Sequence, residues 1–139
     1  MVTHKFYDYL PCAAAVIRIE VFLSEQGFSF DFDEADDICT HILVFCGGTP
    51  AATGRLFKDR DGLWHVGRIA VKKEFRGKNL GAEVMKRMEE KARELGASKL
   101  VLSAQCRVRE FYEKCGYKAY GGVYFDEFCE HIGMEKVLG

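Results

Sequence analysis

The sequence lacks the cysteine spacings of a metal centre. Six cysteines are present, but none form a C-x-x-C pair and no cysteine and histidine cluster has zinc-site spacing. No secretory context accompanies the even cysteine count, and a chain that is 48% hydrophobic can build a core without cross-links. We therefore predict no metal, free thiols and a cytoplasmic location.

An excess of charge of either sign is also lacking, since 20 basic and 21 acidic residues give a formal net charge of −1. Nothing therefore draws the whole chain toward nucleic acid or an anionic membrane. The apolar stretch from Leu10 to Leu23 is interrupted by Arg18 and Glu20, and no run of uncharged residues is long enough to span a bilayer. We predict no nucleic-acid partner, no membrane partner and an amphipathic helix in this stretch.

Internal repeats, low-complexity segments and long Pro/Gly/Ser linkers are missing as well, which favours a single domain over residues 1–139. The hydrophobic periodicity and the turn residues predict a helix, three strands, a helix, a strand, a helix and two strands. Their predicted bounds are about 11–25, 41–46, 51–57, 63–71, about 79–95, 100–104, about 107–114, 117–124 and 131–137.

The strand-helix-strand unit over 63–104 requires a right-handed parallel crossover, whereas the three strands up to residue 71 follow one another as antiparallel neighbours. The order therefore predicts an α/β domain with a mixed, mostly antiparallel central sheet flanked by helices. Ligands of α/β sheets favour the carboxyl ends of strands where the sheet changes sense. We expect a ligand near Val71 and the helix start that follows it.

The segment after Val71 combines cations and glycines at the start of a helix. The first-turn N–H groups of a helix lack internal partners and lie at the positive end of its dipole, so they bind anions. Arg76 and Lys78 add positive charge, and Gly77 and Gly81 allow close approach to the backbone. The segment has neither the Gly-Lys-Ser/Thr ending of a nucleotide P-loop nor G-x-G-x-x-G spacing, which argues against ATP and NAD.

The motif Arg76-x-x-Asn79-x-Gly81 resembles the cofactor loop of the GCN5-related N-acetyltransferase (GNAT) family. Asn79 stands where the family usually has its first glycine, and asparagine is among the few residues that tolerate a positive φ. The segment Phe111–Tyr117 resembles the family's Phe-Tyr-x-x-x-Gly-Phe/Tyr motif. A third set is similar to a small bacterial subgroup and consists of Arg18, Val21-Phe22, Glu25-Gln26-Gly27, Asp33, His41 and His131-x-x-Met134. The resemblance covers nearly the whole chain.

The resemblance implies acetyl-CoA as the acetyl donor and direct attack of a primary amine on its thioester. Backbone groups of Ile69, Ala70 and Val71 would contact the pantetheine arm and the thioester carbonyl. The predicted pyrophosphate site consists of Arg76, Gly77, Lys78, Asn79, Leu80, Gly81 and Ala82. Tyr112 is the candidate acid for the leaving thiolate, because a phenol stays protonated at working pH.

The general base is open at this stage, because many family members carry a glutamate on the strand before the cofactor loop and this chain has Gly67 and Arg68 there. The candidates elsewhere are His131, Asp33, Glu34 and His65, and a chain of waters is an alternative. We select Tyr112, His131 and Asp33 as candidate catalytic residues.

The acceptor is also open. The acidic run 31–37 favours a cationic amine, whereas Arg18, Arg55 and Arg68 favour an anionic or phosphorylated acceptor. We expect a small-molecule amine, with a protein N-terminus or lysine as a variant. The competing hypothesis is a sensor or interaction module that binds acyl-CoA without turnover. The late strands are expected to allow a homodimer, as they do in some relatives.

Overall fold

The computed structural model describes all of residues 1–139. The strands are β1 (Val2–Tyr7), β2 (Thr40–Cys46), β3 (Thr49–Lys58), β4 (Trp64–Val71), β5 (Lys99–Gln105), β6 (Lys118–Asp126) and β7 (Cys129–Val137). The helices are α1 (Cys12–Arg18), α2 (Leu80–Glu94) and α3 (Arg109–Lys114). One sheet contains all strands in the order β1-β2-β3-β4-β5-β7-β6, and only β4 and β5 pair in parallel. The predicted fold class is confirmed.

The strand β1 is absent from the predicted order, which began with a helix. It pairs with β2 along its whole length, from Val2 opposite Cys46 to Tyr7 opposite His41. Its side chains are exposed or only half-buried, so it lacks the apolar alternation by which a strand is recognised in a sequence. Backbone hydrogen bonds to β2 rather than burial of its side chains form this edge strand.

The first predicted helix begins as α1 and continues as a π-helix over Ile19–Glu25. Ala14, Ile17 and Val21 are buried against the sheet. Gly27 ends the helical segment at φ 82°, as the sequence predicted. π-Helical segments inside helices are frequent at functional sites. None of the helices combines the length and the apolar composition that a membrane span requires.

The parallel ladder between β4 and β5 is short, with only the pairs Trp64–Leu100 and His65–Val101. Both strands continue beyond these pairs without bonding to each other. A cleft therefore opens between their carboxyl ends. The helix α2 packs on one face of the sheet, and its apolar side chains belong to the main core.

Gly54 on β3 lets α2 and β4 pack closely against β3, because glycine has no side chain. A Cβ atom there would lie 2.8 Å from Cδ1 of Ile69 and 2.9 Å from Cγ1 of Val84, which is closer than real Cβ contacts. The helix α2 and the carboxyl-terminal half of β4 can thus approach β3 only because residue 54 is glycine. This contact fixes the position of the helix start relative to β4.

A buried ion network joins α1, β3 and the acidic run 31–37, called the acidic loop below. The Arg18 guanidinium donates to Asp31 at 2.7 Å and to both oxygens of Asp36 at 2.7 and 3.1 Å. Arg55 donates to Asp33 at 2.6 and 2.9 Å and to Asp36 at 3.0 Å. Burial by itself raises the pKa of Asp36, but the hydrogen bonds outweigh it and lower the pKa to about 2. The charges are therefore held in the ionised state.

Replacing Asp36 by Asn is expected to lower the free energy of unfolding by about 3 kcal/mol, because Arg18 would keep a buried charge without its bidentate partner. Chemical denaturation measures the loss. The native pKa lies below that of the unfolded chain, so the wild-type contribution is present above about pH 4 and is lost as the pH falls toward about 2.

The matched control is Asp37→Asn, because Asp37 is adjacent and exposed, and forms no ion pair. A change of less than about 0.5 kcal/mol is expected there. Equal losses in the two variants would contradict the assigned role of Asp36.

Candidate active site

The cleft between β4 and β5 has a volume of about 880 Å³. It collects predicted residues that lie far apart in the sequence. The predicted site residues that line it are Ile69, Ala70, Val71, Arg76, Gly77, Asn79, Leu80, Gly81, Ala82, Tyr112 and His131. Two predicted residues, Lys78 and Asp33, lie outside its lining. The cleft thus joins the predicted cofactor loop to two of the three candidate catalytic side chains.

The segment from Gly77 to Ala82 is an unpartnered row of backbone donors. None of its six N–H groups donates a hydrogen bond within the protein, and the first intrahelical bond runs from the Glu83 N–H to the Asn79 carbonyl. Gly77 has φ 83° and Asn79 has φ 60° with ψ 27°, the left-handed conformation that asparagine tolerates. These donors lie at the positive end of α2. The segment fits a diphosphate.

The guanidinium of Arg76 lies beside this row of donors. It forms two 2.8 Å hydrogen bonds with the carboxylate of Glu25, and its Nε donates to the Val71 carbonyl at 3.2 Å. Glu25 is the last residue of the π-helix, so the pair links that helix to the loop before α2. The ion pair is largely exposed, so an anion entering the cleft can reach Arg76.

Helix α3 is packed directly against the start of α2. A Cβ atom at Gly81 would lie 3.2 Å from Cζ of Phe111, so glycine allows the two helices to meet. Behind α3, Lys136 donates to the Cys115 carbonyl and to Glu89, both at 2.8 Å. These contacts hold α3, and with it Tyr112, at one wall of the cleft.

The hydroxyl group of Tyr112 makes no hydrogen bond within the protein, although its ring is packed against the rings of Phe111 and Tyr117 at centroid distances of 4.9 and 6.3 Å. Burial raises the pKa of Tyr112 above that of an ordinary phenol. The phenol therefore carries its proton at any working pH. It is a hydrogen-bond donor without a protein acceptor at the edge of the cleft.

The imidazole of His131 has a defined orientation. Its Nδ1 lies 3.1 Å from the Cys129 carbonyl, which can only accept, so the proton of the neutral ring is on Nδ1. The ring is stacked near Tyr124 at 6.0 Å and meets Phe28 edge-on at 6.4 Å. The lone pair of Nε2 is consequently available on a residue that lines the cleft.

The other candidate bases are engaged elsewhere. The Asp33 carboxylate binds Arg55, and it lies 3.4 Å from Arg68. The Nε2 of His65 is bonded to Asp59 at 2.8 Å, outside the cleft. Glu34 also lies outside the lining, in a short 3-10 turn. Of the side chains considered from the sequence, His131 is the one that faces the cleft with a free acceptor nitrogen.

Several lining residues were not selected from the sequence as site residues. Gln26 accepts a 2.8 Å hydrogen bond from Gln105, which connects the π-helix to the end of β5. Phe28 is packed against Phe128 of the β6–β7 turn at a ring distance of 5.1 Å. The Glu25-Gln26-Gly27 motif pointed to this segment, but these partners are 79 and 100 residues away in the chain and only folding brings them together.

One buried cluster resembles a metal site at first sight. Asp36, Cys39 and His41 place their ligand atoms within 4.8 Å of one another. Asp36 is saturated by Arg18 and Arg55, and burial raises the pKa of the Cys39 thiol to about 11, so the thiol is protonated. Two neighbouring guanidinium groups repel a cation. The cluster does not fit a metal centre.

Comparisons with known proteins agree with this geometry. The acetyltransferase (GNAT) family profile matches residues 5–117. The chain is 35% identical to the protein described as uncharacterized N-acetyltransferase YjcF of Bacillus subtilis (strain 168), over 88% of this chain and 89% of that protein. It is 30% identical to protein ElaA of Escherichia coli (strain K12), over 86% and 82% of the two chains.

Solved structures show the same relationship. The crystal structure of Escherichia coli ElaA has a TM-score of 0.86 at 26% identity and covers 98% of this chain and 99% of its own. An acyl-CoA N-acyltransferase from Pseudomonas aeruginosa has a TM-score of 0.88 at 26% identity, with 99% and 100% coverage. Family members take the acetyl group from acetyl-CoA, which confirms the predicted donor. The chain belongs to the acetyltransferase (GNAT) family.

Proposed function

We propose that this protein is an N-acetyltransferase that moves the acetyl group of acetyl-CoA to the primary amine of a small molecule by direct attack on the thioester. One observation carries the proposal. A single cleft joins five unpartnered backbone donors at a helix start, those of residues 77 and 79–82, to an unpartnered phenol, Tyr112, and to the free Nε2 of His131.

The donor side of the cleft consists of backbone groups and one arginine. The N–H groups of residues 77–82 bind the diphosphate, and Arg76 adds a charged donor. The exposed Lys78 adds charge near the same anion without lining the cleft. Residues 69–71, on the outer half of β4, face the pantetheine arm. Orientation of the thioester against the amine supplies part of the rate.

The chemical step needs one base and one acid. The acceptor amine arrives as an ammonium ion; Nε2 of His131 takes one proton, and the neutral nitrogen then bonds to the acetyl carbon as the carbon–sulfur bond breaks. Tyr112 donates a proton to the departing sulfur. The nitrogen loses a second proton as the amide forms, and this proton restores the phenol through solvent. The proton on His131 is released to solvent, so each turnover releases one proton.

A small acceptor is favoured by one contact across the cleft and one contact beside it. Besides the Gln26–Gln105 hydrogen bond, Ser29 donates to Glu127 through its hydroxyl group at 2.7 Å. These bridges connect the segment after the π-helix with β5 and the β6–β7 turn. We expect them to hinder the passage of a polypeptide segment at this end of the cleft.

The test is steady release of free CoA from acetyl-CoA with a panel of small primary amines, together with a peptide panel that carries free N-termini and lysines. Turnover with small amines is the expected result. Tight binding of acetyl-CoA without turnover on any acceptor would favour the sensor hypothesis instead, and turnover restricted to peptides would contradict the small-molecule assignment.

Replacing Ala82 by Glu is expected to weaken acetyl-CoA binding by about 10-fold or more, because a carboxylate in the first turn of α2 repels the diphosphate. The same carboxylate favours the helix dipole, so the free energy of unfolding is expected to be unchanged or to rise by about 0.5 kcal/mol. Calorimetric titration and thermal denaturation measure the two effects. The control is Ala82→Gln, because glutamine has the shape of glutamate without its charge. An equal loss of affinity in both variants would argue against a diphosphate at this position.

A further inference from the structure

We propose that the acceptor amine also carries a carboxylate or phosphate group and that Arg68 binds this group. The inference rests on the proposed function and adds a substrate class to it. An amine and an anion on one small molecule would then be held by two different walls of the same cleft.

Arg68 has a left-handed backbone conformation, which is uncommon for a residue other than glycine, asparagine or aspartate. Its φ is 51°, and it lies in β4 at an irregularity where Gly67 is opposite Arg55 and Ala70 is opposite Thr53. Strain of this kind persists where the surrounding structure holds it, and it clusters at functional sites. The bulge directs Arg68 to the cleft, whose lining includes it.

The guanidinium of Arg68 is held on one side only. Its Nε lies 2.8 Å from the Asp31 carboxylate and donates to the Asp31 carbonyl at 3.0 Å. Nη2 lies 3.4 Å from Asp33, and Nη1 has no partner in the protein. Asp31 is itself buried and bound by Arg18. The buried ion network thus fixes the arginine while one terminal nitrogen stays free for a ligand.

Of the three arginines in the buried ion network, Arg68 is the one that lines the cleft. Arg18 and Arg55 are buried, bind the aspartates of the acidic loop and do not line the cleft. Of the three acids that line the cleft, Asp31 is shared by two arginines and Glu25 is bound to Arg76, whereas the exposed Asp126 on β6 forms no ion pair. A cationic group on the acceptor would find an uncommitted carboxylate only at the exposed Asp126, whereas an anionic group finds a fixed guanidinium at Arg68.

The first experiment uses matched pairs of acceptors that differ only in the anion. Glycine, β-alanine and γ-aminobutyrate are compared with their carboxamides, and 2-aminoethyl phosphate is compared with ethanolamine. We expect kcat/KM for the preferred anionic acceptor to exceed that of its neutral partner by about 10- to 100-fold, as for one charge-assisted hydrogen-bonded pair. The pairs also distinguish carboxylate from phosphate.

The second experiment repeats the preferred pair with Arg68→Gln and Arg68→Lys. The ratio of anionic to neutral kcat/KM is expected to fall to near 1 in Arg68→Gln and to an intermediate value in Arg68→Lys. The ratio is independent of the fraction of folded protein. The control is Arg107→Gln, because Arg107 lies exposed at the same cleft with its Nε on Gln105. This variant is expected to keep the preference.

Failure of the inference is distinct from failure of the proposed function. Equal turnover of anionic and neutral amines, or a preference that depends on Arg107, would overturn the assignment to Arg68 while leaving acetyl transfer intact. If no amine is acetylated, the CoA complex is titrated with N-acetylglycine and N-acetylglycinamide. Tighter binding of the anion, lost in Arg68→Gln, supports the site, and equal binding overturns it.

Discussion

The Tyr112→Phe variant is expected to lower kcat by about 100-fold while its affinity for acetyl-CoA stays within about threefold of the wild-type value. The substitution removes only the hydroxyl group, which has no protein partner, so no native hydrogen bond is lost. The packing of the ring between Phe111 and Tyr117 is retained. Steady-state release of CoA gives kcat, and calorimetry gives the affinity.

The matched control is Tyr117→Phe, which removes a hydroxyl group that donates to Glu89 at 3.0 Å behind α3. This variant is expected to lose stability and to keep most of its kcat when measured well below its melting temperature. If Tyr112→Phe turns over at the wild-type rate, the phenol is not the acid.

The His131→Asn variant is expected to lower kcat/KM by about 100-fold or more at neutral pH, because asparagine removes the Nε2 lone pair. Its side-chain N–H takes the place of Nδ1–H, so the donation to the Cys129 carbonyl can be kept. The deficit is expected to shrink as the pH is raised, since an amine that is already neutral needs no base. The pH dependence of kcat/KM in both proteins measures this change.

His65→Asn is the control for this substitution, because His65 lies outside the cleft and is bonded to Asp59. It is expected to leave the pH profile of kcat/KM unchanged. A deficit in His131→Asn that is constant across the pH range would mean that the histidine supports the cleft without exchanging a proton.

The opposing charge patches in the sequence have one explanation in the structure. The acidic run suggested a cationic acceptor and the arginines suggested an anionic one, yet Asp31, Asp33 and Asp36 are the partners of those arginines. Three positive and three negative groups cancel within one network, and Arg68 is the one arginine of the three that lines the cleft. Sequence spacing does not show this cancellation, because the partners are between 13 and 37 residues apart.

The homodimer remains a prediction. The edge strand β6 is exposed along most of its length and carries Tyr120, Val123 and Phe125 at the surface. An exposed strand with apolar side chains is a site at which chains can pair. The oligomeric state is open to measurement by light scattering.

The sequence by itself determined the features that arise from local patterns. The helix start at Leu80, the left-handed Asn79 and the row of free N–H groups before α2 follow from glycine, asparagine and helix geometry over a few residues. The crossover of β4, α2 and β5 followed from the order of the elements, and the position of the cleft followed from that crossover.

Only the tertiary structure decided which distant side chains share the cleft. Among the candidate bases, hydrogen bonds formed on folding engage Asp33 and His65 and leave Nε2 of His131 without a partner. The tertiary structure also placed β1 at the edge of the sheet, where pairing with β2 substitutes for an apolar pattern. Helix starts and turns depend on neighbours in the chain, whereas ion pairing, orientation of a base and edge pairing depend on contacts between residues far apart in sequence.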